Sequence, residues 1–87
     1  MIKPAVYWFK VCPRCDGQGR LVVSLNITAN ELYLHCDECE AGWRDPEDLT
    51  YPQAMFSTLD EAFEARDATL ADIVQHGWQK YAQHKLQ

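Results

Sequence analysis

The chain has 87 residues, 47% of them hydrophobic, and a formal net charge of −5. That composition excludes wholesale disorder, the length sustains one domain whose core contributes only a few kcal/mol, and no run reaches the roughly 18 apolar residues that cross a bilayer. Residues 1–30 carry a net +3, residues 31–72 a net −10 and residues 73–87 a net +2, which argues against the clustered Lys and Arg that nucleic-acid binding requires.

Ala5 to Val11 is rich in β-formers and predicts a strand, with Tyr7, Phe9 and Val11 on one face and Val6, Trp8 and Lys10 on the other. It leads into Cys12-Pro13-Arg14-Cys15, followed by Asp16-Gly17-Gln18-Gly19, where the glycines let backbone amides approach the sulfurs. Arg20 to Ile27 alternates Leu21, Val23, Leu25 and Ile27, the pattern of a half-buried strand. Thr28-Ala29-Asn30 predicts a turn, and Glu31 to His35 returns the chain into Cys36-Asp37-Glu38-Cys39.

Two C-x-x-C pairs separated by twenty residues have the spacing of a tetrahedral four-cysteine zinc site. Each pair forms a tight turn aimed at one point, and the hairpin between them brings the two turns together. Cys12, Cys15, Cys36 and Cys39 are therefore the expected ligands of one Zn²⁺. A catalytic zinc keeps an open position; four cysteines fill the shell, so the metal is expected to be structural. With four thiolates and one dication, the charge would be about −7. Two disulfides would need an oxidising compartment, whereas Met1-Ile2-Lys3-Pro4 leads into no apolar signal-peptide core. The expected location is cytoplasmic, with no membrane association. His35 abuts a ligand but reads as an edge histidine, and His35, His76 and His84 form no ligand cluster.

Glu40 to Trp43 closes the second cysteine turn, with Trp43 expected to pack beside the metal. Residues 45–56 form a turn-rich connector broken by Pro46 and Pro52. Thr58 with Glu61 fits a capping box opening a helix, Ser57 with Asp60 is its near alternative, and Thr69 offers a second cap. Leu70, Ile73, Val74, Trp78 and Tyr81 then follow helical spacing, and Gly77 is either the cap of a helix ending at His76 or a weak point in a longer one. One helix or two over 57–84 are both compatible with the pattern. The expected fold is α+β: a single domain of residues 1–87, with a zinc-ribbon β part over 1–44, the connector, and a helical part over 57–87 packed on the hairpin.

The motif Cys12-Pro-Arg-Cys15-Asp-Gly17-Gln-Gly19 resembles the C-x-x-C-x-G-x-G repeat in the cysteine-rich domain of J-domain co-chaperones. That domain uses four such repeats and two zincs; here one full repeat is present, which implies shared turn chemistry. A wider resemblance runs from Cys12-Pro-x-Cys15 through Gly17-x-Gly19 and Tyr33-x-x-Cys36-Asp-Glu-Cys39-Glu-x-x-Trp43 to Thr58-Leu59-Asp60 and Gly77-Trp78. This order is similar to a group of small bacterial zinc-ribbon proteins often encoded beside secreted polymorphic toxins and suspected to be their immunity proteins. The resemblance implies a non-enzymatic toxin inhibitor.

The residues point the same way on charge. An acidic surface of Asp37, Glu38, Glu40, Asp45, Glu47 and Asp48 suits a basic partner such as a cationic toxin domain, with Trp43 or Tyr51 as anchors. The alternatives are an adaptor or regulator of a larger enzyme complex, and a nucleic-acid-binding ribbon using Lys3, Lys10, Arg14 and Arg20. No nucleophile–base pair at recognisable spacing supports an enzyme.

Overall fold

The computed structural model describes residues 5–15, 17–58 and 62–86. Its strands are β1 (Val6–Val11), β2 (Arg20–Asn26), β3 (Glu31–Cys36), β4 (Ala41–Trp43), β5 (Met55–Ser57), β6 (Ala65–Asp67) and β7 (His84–Leu86); α1 spans Leu70–Gln75 and a 3₁₀ turn spans Gln79–Tyr81. Together the strands form one antiparallel sheet in the order β5-β4-β3-β2-β1-β7, with β6 also on β2.

The hairpin between the cysteine pairs forms as its alternation requires. Leu21, Val23 and Leu25 pair with Cys36, Leu34 and Leu32, so all six share one face. That face is the core, joined by Phe9, Trp43, Ala68, Ile73 and Tyr81. Each large apolar side chain buried there contributes about 1.5–3 kcal/mol. The opposite face of β2 is not solvated, however: Val22 and Ser24 are buried as well. A second layer covers part of it, where the Tyr33 ring meets Phe56 at 5.7 Å and Phe63 at 5.6 Å. The turn at Thr28–Asn30 places Asn30 at φ 54, where Asn is tolerated.

The expectation that Tyr7, Phe9 and Val11 share a face is corrected by a β-bulge. Trp8 pairs with Val22 but Val11 pairs with Arg20, so β1 carries one extra residue. Side-chain alternation shifts at that point, and Val11 is left 56% exposed while Phe9 stays buried. Trp8, on the opposite face, stacks on His84 with centroids 4.2 Å apart.

The larger correction concerns residues 62–86, where the helical part, among the described residues, is α1 and the 3₁₀ turn Gln79–Tyr81. Thr58 is tied back to the second cysteine turn. Its hydroxyl donates to the Glu40 carbonyl at 2.7 Å, and its amide donates to the same oxygen at 3.0 Å. Asp60 and Glu61, the expected capping partners, lie outside the described residues. Further on, Ala65–Asp67 pairs with Ser24–Asn26 as β6, completing the edge of β2 that β1 leaves beyond the bulge. The fold is thus mostly sheet, and α+β describes it, among the described residues, only in one short α-helix.

The second expected cap does form. Thr69 Oγ1 accepts from the Asp72 amide at 3.2 Å while the Asp72 carboxylate accepts from the Thr69 amide at 2.9 Å, a reciprocal capping box. At the other end Gly77, at φ 71, donates to Val74 and Trp78 donates to Ile73, which is a Schellman ending after His76. Trp78 and Tyr81 follow the helix instead of extending it. Among the described residues, no helix is long and apolar enough to cross a membrane.

Candidate metal centre

The first cysteine turn leaves the end of β1 and the second leaves the end of β3. Between them β2 fixes their separation, since Leu21 is paired with Cys36. Within the first turn, Gly17 and Gln18 donate to the Cys12 and Cys15 carbonyls at 3.1 and 3.0 Å, and Cys12 donates to the Gly19 carbonyl at 2.9 Å. Arg20 and Asp37 then join the two turns. The Arg20 amide donates to Asp37 Oδ1 at 2.9 Å, and the Asp37 amide donates back to the Arg20 carbonyl at 3.1 Å.

All four sulfurs lie within 4.8 Å of one another. Cys12 Sγ is 3.7 Å from Cys39 Sγ, and Cys15 Sγ is 3.6 Å from Cys36 Sγ. A regular tetrahedron of Zn–S bonds near 2.3 Å has sulfur–sulfur edges of about 3.8 Å, so both distances suit one shared cation.

The backbone completes the shell around the sulfurs. Amides of Arg14 and Glu38 donate to Cys12 and Cys36 at 3.3 and 3.4 Å, the same two-residue step in each turn. Gly19 donates to Cys15 and Cys39 donates to Cys36, at 3.3 and 3.4 Å. Such donors favour thiolate over thiol and orient the ligand. Gly19 has a second duty, because a Cβ there would lie 2.4 Å from Cys36 Sγ. Only glycine admits the second turn so close to the first.

Protonation follows from these surroundings. Burial pushes the Cys12 and Cys36 thiols above their ordinary value. Burial also acts upward on Cys39, but the Ala41 amide and the Arg14 guanidinium outweigh it and hold that thiol at about 7. Four thiolates this close repel one another strongly, and a dication is what makes them compatible. The donor set fits a metal, and all-sulfur tetrahedral coordination suits zinc.

The acids expected to form a partner surface divide in two. Asp37 is tied to Arg20 as above, Glu40 meets His35 Nε2 at 2.8 Å, and Glu47 lies 3.5 Å from Lys80 and accepts from the Tyr81 hydroxyl. These three hold elements together. Glu38, Asp45 and Asp48 are exposed; Asp45 and Asp48 also accept amide bonds from Glu47 and Thr50 within their own loop. Trp43 is corrected outright as a partner anchor. It is 0% exposed, belongs to the same cluster as Cys12 and Cys36, and donates Nε1–H to the Thr50 carbonyl at 3.0 Å. Tyr51 remains available at 46% exposure.

The roles that Arg20, Gly42 and Thr58 play in the structure were not legible in the sequence. They depend on partners seventeen or eighteen positions away or on a ring laid over a glycine, and no local pattern marks them.

No family model matches the chain, and no solved structure matches it. A stretch of 47 residues, 52% of the chain, is 38% identical to an uncharacterized protein of Acanthamoeba polyphaga mimivirus. The match spans 39% of that viral protein, so the chain covers well under half of this relative's length.

Proposed function

We propose that the chain is a non-enzymatic binding protein in which one structural Zn²⁺, held by Cys12, Cys15, Cys36 and Cys39, fixes an acidic surface that recognises a basic protein partner. The observation carrying the metal is the pair of sulfur contacts at 3.6 and 3.7 Å inside a four-cysteine cluster. When bound, the zinc supplies cross-linking and charge neutralisation, and its binding energy becomes folding energy. The protein's own groups do the rest: amides orient the sulfurs, and Arg20 with Asp37 locks one turn to the other.

Support for the partner comes from charge. Residues 31–72 carry a net −10, and the exposed carboxylates of Glu38, Asp45 and Asp48 lie in the second cysteine turn and the connector. Such a surface speeds encounter with a cationic partner. The resemblance to suspected immunity proteins makes a basic toxin domain the partner class to test first, inside the bacterial cytoplasm. Mixing the zinc-loaded protein with a cationic toxin domain encoded beside its gene should give tight, salt-sensitive binding. Replacing Glu38, Asp45 and Asp48 by their amides should slow association about tenfold. No interaction at low ionic strength would remove the immunity function, and co-purification with a housekeeping enzyme complex would favour an adaptor.

A further inference from the structure

Among the described residues, the second face of the sheet borders cavities of very different size. One, beneath Arg44, Phe56 and Phe63, measures about 10 Å³, which is room for roughly one water. Another is an open groove of about 180 Å³ lined by Ser24, Tyr33, His35, Ala65, Arg66 and Asp67. It forms where β6 joins β2, so its walls come from three strands that the sheet holds in register.

Its chemistry is one-sided. Ser24 pairs with Tyr33 on one neighbour and with Asp67 on the other, so these three side chains project to the same face. Ser24 is only 3% exposed, and its hydroxyl has a long 3.5 Å bond to the Val22 carbonyl. Asp67 is exposed and has no cation within ion-pair distance among the described residues. His35 commits Nε2 to Glu40. Arg66, the one cation in the lining, has both terminal nitrogens on the Asp72 carboxylate, at 2.7 and 3.3 Å, and its Nη1 also donates to the Asp67 backbone carbonyl at 3.2 Å. Its charge is therefore compensated by Asp72 and not by Asp67. The Tyr33 phenol reports the resulting environment: burial pushes it upward, bonding to Ser24 acts downward, and the charges of Asp67 and Glu40 add to the net rise. An aromatic wall, a buried hydroxyl and an unpaired carboxylate suit a cation with an apolar stem, because the ring attracts positive charge and the carboxylate pairs with it.

Resting on the basic-partner reading above, we infer that this groove is a binding site for an arginine side chain of the protein partner. Its guanidinium pairs with Asp67 and its methylenes lie along Tyr33 and Ala65. The site is on the β2–β3–β6 face, distinct from the acids of the second cysteine turn and the connector.

The test is a titration of the isotope-labelled, zinc-loaded protein with an arginine hexapeptide and with its citrulline counterpart, followed by amide chemical shifts. The arginine peptide should shift Ser24, Tyr33, His35, Ala65 and Asp67, the citrulline peptide should not, and Asp67→Asn should weaken binding about fivefold, as expected for an exposed ion pair. Shifts confined to residues 37–51 and unchanged by Asp67→Asn would overturn the groove while leaving the basic-partner reading intact. Equal binding of the citrulline peptide would overturn the role of charge in the groove. Absence of any arginine-peptide binding at low salt would remove the basic-partner reading and the groove with it.

Discussion

Glycine 19 shows how much a single hydrogen can decide. A methyl group there would meet Cys36 Sγ at 2.4 Å and the Glu38 side chain at 3.1 Å, and the sulfur cannot yield without leaving the cluster. Gly19→Ala should therefore cost about 1–3 kcal/mol, appearing as roughly tenfold or greater loss of zinc affinity in a chelator competition. Gly42 provides the contrast. Its added Cβ would meet the Phe56 ring at 2.6 Å, but that ring is the half-buried end of a side chain that can tilt. Gly42→Ala should lower thermal stability modestly while leaving zinc affinity unchanged. Both glycines are visible in the sequence, yet only the paired geometry separates the one that guards the metal from the one that seats a ring. The cysteines were legible at this scale because their spacing alone encodes two turns aimed at one point. The acids were legible in number only. That Asp37, Glu40 and Glu47 are spent on Arg20, His35 and Lys80 depends on contacts between strands and loops remote in sequence.

Among the elements, β6 and α1 mark where local pattern succeeds and fails. The stretch Ala62 to Ala68 is rich in helix formers, but β2 beyond the β1 bulge has backbone groups that need partners, and residues 65–67 supply them. Tertiary pairing overrides propensity there. At α1 the demand is local, and the sequence signals survive: Thr69 opens the helix and Gly77 closes it. Thr69→Ala should cost about 1 kcal/mol, measurable as a lower midpoint in chemical denaturation. The same cap has a pH signature. Bonding to Arg66, then to the Thr69 amide, holds the Asp72 carboxyl at about 2, below its ordinary value near 3.9. A depressed carboxylate contributes stability that is complete above the unfolded value and is lost as pH falls through the folded one. The Asp72 contribution should therefore persist at pH 5, decline between about pH 4 and pH 2, and shift upward in Arg66→Ala. Carboxyl chemical shifts through the titration would record it.

For the whole molecule, the proposed zinc would share the work of holding the fold with the β2–β3 hairpin. The sheet places both cysteine turns at one end of the β2–β3 hairpin, and burial of Cys12 and Cys36 ties the site into the hydrophobic core. Removing the cation would leave buried thiols and crowded sulfurs at the point where three strands meet. Unfolding on chelation should thus be cooperative across the chain, not confined to the turns. The β hairpin and the gathering of the four cysteines at its end were readable from alternation and spacing. The seven-stranded sheet was not, because β5, β6 and β7 are three-residue strands, too short to carry a period of their own.

The most direct test is native mass spectrometry of the purified chain combined with circular dichroism before and after chelation. One zinc per chain should be found, as an added zinc less two protons at equal ion charge, and chelation should abolish the sheet signal reversibly, as should Cys36→Ser. A folded, sheet-rich chain that holds no metal, and whose Cys36→Ser variant melts like the parent, would contradict the structural metal on which everything else here rests.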